Sequence, residues 1–393
     1  MRISRTDYLL VRLAQTGASL FQSAGDLESS ILRRRLDAIP IESPVFLCGL
    51  ARSGTTILLE ELSKIAPVGT HRYRDFPFLM VPWLWNRLLD RDRAQEPAVA
   101  RPHQDRICIT ADSPEAFEEP LWQFFFPHLH AADALHRLTG ERRFDEFEAF
   151  FKDHVRKILL TRGQRRYLSK GNYNVVRIEY LSTVFPDARF IVPIRHPLTH
   201  VQSLVRQHAL FSEYARQDPR VPRYLMAAGH YEFGPQRVPI RLSHEAGDRI
   251  REAWQRGQDD AGYATQWAEI YRFVDRLRSD ANGLGERLLV VRYEDFCDRP
   301  HEVVGDILCH ANLAPDTPVD PQALEHIAPP SRGTSEFPDN FRETVWRETE
   351  SVARRFGYAA TEDTSGSSPD ELGRIRAALR SSSRPLSTQT STR

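Results

Sequence analysis

The sequence predicts an α/β fold: a parallel β-sheet flanked by helices on both faces, carrying an irregular, aromatic-rich helical insertion. Three observations predict it. Compact apolar runs alternate with segments of helical spacing along most of the 393 residues, which is the order of βαβ units. The first run, PVFLCGL (44–50), leaves through a glycine-bearing turn straight into a helical stretch. A later run, PDARFIVPIR (186–195), ends in an arginine and passes into a helix with Pro197 in its first turn, a position proline favours.

Taken in order, residues 1–38 read as helices ending in the basic run Arg33-Arg34-Arg35, and Pro40 and Pro44 bracket a linker. PVFLCGL is short, apolar and bounded by proline and glycine, the signature of a buried strand. ILLEELSKIA (57–66) has helical spacing. Residues 68–140 are rich in Pro, Trp, Phe and His and read as an irregular, partly helical insertion, either a packed lid or one wall of an acceptor site. RFDEFEAFFKDHVRKILL (143–160) is an amphipathic helix, RRYLSK (165–170) a short strand, and NVVRIEYLSTVF (174–185) a helix. PDARFIVPIR is a second buried strand and HPLTHVQSLVRQHALF (196–211) its helix. Residues 212–262 are polar and read as loop-rich. ATQWAEIYRFVDRLRSD (264–280) is a helix, ERLLVVRYEDF (286–296) a third strand with an acidic exit, and HEVVGDILCHANL (301–313) a helix. Residues 336–357 read as a terminal helix ending at Gly357. From Thr361 the chain turns Ser/Thr/Pro-rich apart from DELGRIRAALR (370–380), the composition of a mobile tail. The organisation expected is an N-terminal helical segment (1–43), one α/β domain (44–360) with insertions at about 68–140 and 212–262, and a tail (361–393).

Composition narrows the function classes. Lys plus Arg and Asp plus Glu both total 53, so the formal net charge is zero, and nothing favours global binding to nucleic acid or to an anionic membrane. Any basic ligand site is local. Only four lysines (Lys64, Lys152, Lys157, Lys170) stand among the basic residues, which singles each of them out. Cys48, Cys108, Cys297 and Cys309 form no C-x-x-C pair, so reduced thiols and a cytoplasmic location are expected rather than a disulfide framework or a structural zinc site. No run approaches the ~18 apolar residues of a membrane span, and the N-terminus lacks the continuous apolar core of a signal peptide.

The sharpest motif is Gly49-Leu50-Ala51-Arg52-Ser53-Gly54-Thr55-Thr56 between strand and helix. Backbone N–H groups of such a turn, together with the helix N-terminus, cradle an anion. The glycine spacing is that of a P-loop, which makes the predicted sheet P-loop-like. A nucleotide triphosphatase needs Lys and then Ser or Thr after the second glycine. Here Thr55 takes the lysine position, and the cation is Arg52, two residues before Gly54. That counts against an ATPase or kinase and against a required metal.

A second site repeats the logic. Arg195 ends a strand, and Ser203 follows eight residues later on the next helix. Arginine offers a planar fork for phosphate oxygens. In an open parallel sheet, ligands sit beyond the carboxyl ends of the strands, so both basic sites belong on one edge. One ligand with two separated phosphate-like ends satisfies both.

Together these elements resemble the sulfotransferases that use 3′-phosphoadenosine 5′-phosphosulfate (PAPS). In that family a Pro-(Lys/Arg)-Ser-Gly-Thr-(Thr/Ser) loop holds the 5′-phosphosulfate, and an arginine with a serine eight residues on holds the 3′-phosphate. Arg52-Ser53-Gly54-Thr55-Thr56 and Arg195…Ser203 match, with Ala51 in place of the loop proline. The segment 167–203 and the strand ending Tyr293-Glu294-Asp295 are similar as well. The likeness covers roughly 44–64, 165–210 and 286–298, and is greater to the bacterial and tyrosylprotein branch than to the cytosolic aryl and steroid branch.

The resemblance implies transfer of a sulfuryl group to an acceptor hydroxyl, with PAPS as co-substrate, its desulfated form (PAP) as product and no metal. It also implies that Lys170 reaches the reacting group, and that Ser331 and Arg332 close over the 3′-phosphate. The cytosolic branch's basic histidine is Asn172 here. Asp75 and His71 are the candidate bases, with Glu118 and Glu119, beside Trp122 and Phe124, a second pair. The acceptor could be a sugar, phenol, lipid or peptide. The alternatives are a P-loop kinase or hydrolase, and an inactive scaffold that binds PAP or nucleotide.

Overall fold

Four of the strands grow from the apolar runs, and all of them pair parallel. The computed structural model describes residues 1, 3–90, 98–103, 108–280, 283–313, 322–327 and 337–360. In chain order the main elements begin with helices α1 (Arg5–Thr16) and α2 (Ala18–Ile31), strand β1 (Val45–Cys48) and helix α3 (Thr55–Ile65). Strand β2 (Val68–Gly69), α4 (Pro82–Leu89), α5 (Glu119–Phe125) and α6 (Asp145–Arg162) follow. Next come β3 (Arg166–Gly171), α7 (Ile178–Val184), β4 (Arg189–Ile194), α8 (Pro197–Gln217), α9 (Val221–Ala227), α10 (His244–Gln255) and α11 (Asp259–Arg278). The last elements are β5 (Leu288–Arg292), α12 (Tyr293–Asp298), α13 (Pro300–His310) and α14 (Asp339–Ala353).

The sheet order is β2-β3-β1-β4-β5. Leu47 is in register with Lys170, Val45 with Arg189, and Ile194 with Arg292. Because side chains alternate across a strand, β1 feeds two cores. Phe46 and Cys48 join the aromatic cluster under α6 and α11, while Val45 and Leu47 join the aliphatic cluster under α3 and α13. Both faces are therefore covered, as the near-continuous apolar strands require. The strands of this sheet all point the same way, so the exits of β1, β3, β4 and β5 lie along one edge; Val99–Ala100 and Cys108–Ile109 form a separate antiparallel pair in the insertion.

The structure adds one strand and corrects one expectation. The insertion after α3 opens with β2, a two-residue edge strand paired to β3, which is too short to give a periodic signal. The 212–262 region is largely helical rather than loop-rich: α8 runs on to Gln217, and α9 and α10 follow. In α10 the buried face is Ala246, Gly247 and Ile250, so no apolar stripe marks it, although Ser243 caps it by accepting from the Ala246 N–H. The tail at 361–393 and the pair Ser331 and Arg332 lie outside the described residues.

Candidate functional site

The loop after β1 turns because two residues take left-handed backbone angles: Arg52 at φ 71° and Gly54 at φ 104°. A Cβ on Gly54 would lie 2.5 Å from the Tyr293 ring, so the turn closes only with glycine. A non-glycine residue at positive φ stores strain of the kind that gathers at functional sites, and here that residue is the loop's cation. The helix that starts at Thr55 leaves its first amides without intrahelical acceptors. The loop is pinned from α8: the His200 Nε2–H donates to the Ala51 carbonyl at 2.9 Å. Burial, with Arg195 and Arg52 nearby, pushes His200 down to about 3, so it is the neutral ring that holds the loop.

The two predicted basic sites meet. Arg52 Nε donates to Ser203 Oγ at 3.3 Å. Arg195 Nε donates to Thr199 Oγ1 at 3.1 Å, and its guanidinium lies 5.0 Å from the centre of the Tyr293 ring, the same ring that packs on Gly54. From β3, Lys170 Nζ donates to Thr56 Oγ1 at 2.9 Å and to Glu115 Oε1 at 3.0 Å. Arg52, Thr56, Lys170, Arg195 and Ser203 thus converge from five segments on the strand-exit edge.

Glu115 is the hub that sequence reasoning missed. Its carboxylate accepts from Lys170 and from the Tyr73 hydroxyl (2.5 Å), and pairs with Arg101 Nη2 at 3.1 Å. Burial pushes this carboxyl up, but Lys170 and Arg101 outweigh it and hold it well below the usual range. Burial pushes Lys170 down, against the pull of Glu115. Behind Tyr73 runs an aromatic wall: its ring meets Phe117 edge-on at 5.8 Å, and Phe117 stacks on Phe76 at 5.2 Å.

A second group missed from the sequence borders Asn172, which lies two residues past Lys170. Asn172 Nδ2 donates to Glu232 Oε1 at 2.5 Å, and Glu232 Oε2 lies 3.4 Å from His230 Nδ1. The His230 side chain is 22% exposed and that of Glu232 only 7%, so the imidazole is the accessible member of the pair. His103, its ring 6.1 Å from that of His230, is pushed well below its ordinary value by burial and by Arg101, His230 and Arg52. Its carbonyl accepts from Gln207 Nε2 at 2.9 Å, which ties this segment to α8. His230 and Glu232 lie in the stretch read as polar and loop-rich, and only His103 in the insertion rich in Pro, Trp, Phe and His.

The four candidate bases are engaged elsewhere. Asp75 is fully buried and accepts from Arg162 Nη2 with both oxygens (2.6 and 2.5 Å), from Asn86 Nδ2 (2.8 Å) and from the Arg72 N–H (2.8 Å). Burial raises its carboxyl, but His71 and Arg162 hold it far below the ordinary range. His71 shares a 3.1 Å Nε2–Nε2 hydrogen bond with His154. Glu118 accepts from the Tyr167 hydroxyl and from Asn174. Glu119 accepts both arms of Arg177 (2.7 and 2.8 Å) and pairs with His130. Against the pull of burial, these cations bring Glu119 down to about 2. Each of the four is held by its own interior partners. Among the described residues no group of three or more His, Cys, Asp or Glu is placed to hold a metal ion.

Comparison with known proteins adds the following. Residues 44–238 match the family model described as "Sulfotransferase family". No curated protein sequence matches the chain. Similar solved structures include the sulfotransferase STF1 from Mycobacterium tuberculosis H37Rv, with 16% identity over 84% of this chain and 81% of that one at a TM-score of 0.44. The sulfotransferase STF9 from Mycobacterium avium shares 15% identity over 90% and 81%, at 0.39. The sulfotransferase from Alicyclobacillus acidocaldarius shares 14% over 81% and 94%, at 0.40.

Proposed function

Because the chain belongs to the sulfotransferase family, we propose that it moves the sulfuryl group of PAPS to a hydroxyl of an acceptor. The observation that carries the reading is the meeting of Arg52, Thr56, Lys170 and Ser203 on the strand-exit edge. The residues fit such a donor: the Gly54 turn and the first amides of α3 for the 5′ end, with Arg52, Ser53, Thr55 and Thr56 around it, and Arg195 with Ser203 for the 3′-phosphate. Ser331 and Arg332 remain candidates for covering that phosphate. The kinase alternative is not favoured, since Thr55 stands where its lysine belongs.

The chemistry asks mainly for positioning and electrostatics, as in phosphoryl transfer. The bond from sulfur to the leaving phosphate oxygen breaks while a bond from sulfur to the acceptor oxygen forms. Arg52 and the loop amides offset the charge that returns to the phosphate, and Lys170 offsets charge on the transferring oxygens. The acceptor proton passes to His230, which Glu232 orients and Asn172 secures through Glu232. Glu115 holds Lys170 in place before the donor arrives, and the Tyr73–Phe117–Phe76 wall borders the acceptor.

The test is a set of variants. Arg52→Ala and Lys170→Ala lose turnover, assayed as acceptor-dependent release of PAP across phenols, sugars, lipid alcohols and tyrosine peptides, while Arg195→Ala chiefly weakens PAP binding. Turnover at the wild-type rate in both Arg52→Ala and Lys170→Ala would refute the mechanism.

A further inference from the structure

We propose that the outer face of α1 and α2 is a docking surface for an anionic lipid membrane. Five apolar side chains stand in water there: Leu9 (66% exposed), Leu13 (54%), Leu20 (71%), Leu27 (61%) and Ile31 (72%). A single exposed leucine is ordinary, but a contiguous apolar surface marks an interaction site. At about 100° per residue Leu9 and Leu13 lie about 40° apart on α1, and Leu20, Leu27 and Ile31 fall within about 40° on α2. The two helices meet at Gly17, whose φ −96° and ψ 16° interrupt the helical path, although its N–H still donates to Leu13 O and the Phe21 N–H to Gly17 O, both at 2.9 Å.

The helices cannot roll to bury this row. Gly25 lies against Met80 so closely that a Cβ there would sit 2.5 Å from the Met80 carbonyl oxygen. Lys157 Nζ donates to the Gly25 carbonyl at 2.6 Å and pairs with the buried Glu28 at 3.2 Å. Glu28 in turn accepts from the Leu84 N–H at 2.6 Å, which brings α4 alongside. On α4, Leu84 and Leu88 are 48% and 45% exposed, and the Arg35 and Arg87 guanidinium groups lie 5.7 Å and 4.9 Å from the centre of the Trp83 ring.

Charge selects the partner. Arg5, Arg12, Arg34 and Arg35 flank the row, whereas Asp7 and Asp26 lie about 140° and 120° away from its centre. Asp26 is also engaged by Gln22 at 2.5 Å. Two copies paired antiparallel about Leu20 would match Leu9 with Ile31 and Leu13 with Leu27, yet would set Arg5 against Arg34 and Arg35. A parallel pair would set each arginine against its own copy. An anionic lipid surface is the partner toward which all four of these arginines are attracted. An amphipathic pair of helices with leucine on the face and arginine at the rim lies in the plane of such a surface.

The test is flotation of the full-length protein with vesicles of phosphatidylcholine alone or mixed with phosphatidylglycerol. Binding to the mixed vesicles is expected, with little to the neutral ones. Arg34→Ala/Arg35→Ala should lower the partition coefficient by about 30-fold, taking about five-fold for each arginine at the surface. Leu13→Asp/Leu27→Asp should abolish binding while leaving the protein folded and PAP binding unchanged, since more than half of each side chain already stands in water. Absence of binding to the mixed vesicles overturns the proposal, and so does binding that persists in Leu13→Asp/Leu27→Asp or needs no anionic lipid. A concentration-dependent dimer in sedimentation velocity that Leu20→Asp dissociates, without vesicle binding, assigns the row to a second copy instead.

Discussion

Asp75→Asn separates a structural from a catalytic role for that residue. The carboxylate takes both contacts of Arg162 together with Asn86 and the Arg72 amide, and Arg162 has only 4% of its side chain exposed. The substitution keeps the shape but leaves the guanidinium buried without its counter-charge. Breaking a buried pair from one side costs about 3–5 kcal/mol. Unfolding entropy for a chain of this size is about 0.8 kcal/mol/K, so the melting midpoint should fall by about 4–6 °C. The sign with pH follows from the depressed folded-state pKa of Asp75. Its contribution is fully present above the unfolded value of about 3.9 and is lost as pH falls below it. Acidification through that range should therefore shrink the difference between variant and wild type. The assay is thermal denaturation from neutral pH down to about pH 3, with turnover of the folded variant measured well below its melting point. An unchanged midpoint with turnover abolished would refute the structural assignment and return Asp75 to the role of base.

Two further predictions concern the site. Gly54→Ala adds a methyl group at φ 104° against the Tyr293 ring; the loop should open and PAP affinity fall by at least ten-fold by calorimetry, and unchanged affinity would show that the turn is not the cradle. His230→Asn should lower turnover by about 10²–10³-fold, within the range of general base catalysis, with PAP affinity unchanged. A variant of full activity would place the proton elsewhere, and Glu232→Gln should show a smaller loss of the same kind.

The parts of the molecule that were legible in the sequence are those whose signal is local. PVFLCGL and PDARFIVPIR are strands because both their faces are buried, which leaves no polar alternation to confuse them. The Gly49–Thr56 loop is legible because the Gly49–Gly54 spacing, Arg52 and the helix start all fall within eight residues. Strand β2 was not legible: two residues carry no period, and its pairing with Arg166 and Tyr167 exists only in three dimensions. The same reason hid Glu115, Arg101, His230 and Glu232. Each arrives from an insertion far along the chain and gains meaning only beside Lys170 or Asn172. Asp75 is a candidate base only through the resemblance, and Arg162, 87 residues further on, claims its carboxylate.

The most direct test of the central claim is calorimetric titration of the wild-type protein with PAP in the presence of EDTA, with ADP and ATP as controls. The account predicts metal-independent binding of PAP that is lost with ADP, which lacks the 3′-phosphate assigned to Arg195 and Ser203. Failure of PAP to bind, with ATP binding only when magnesium is present, would contradict it.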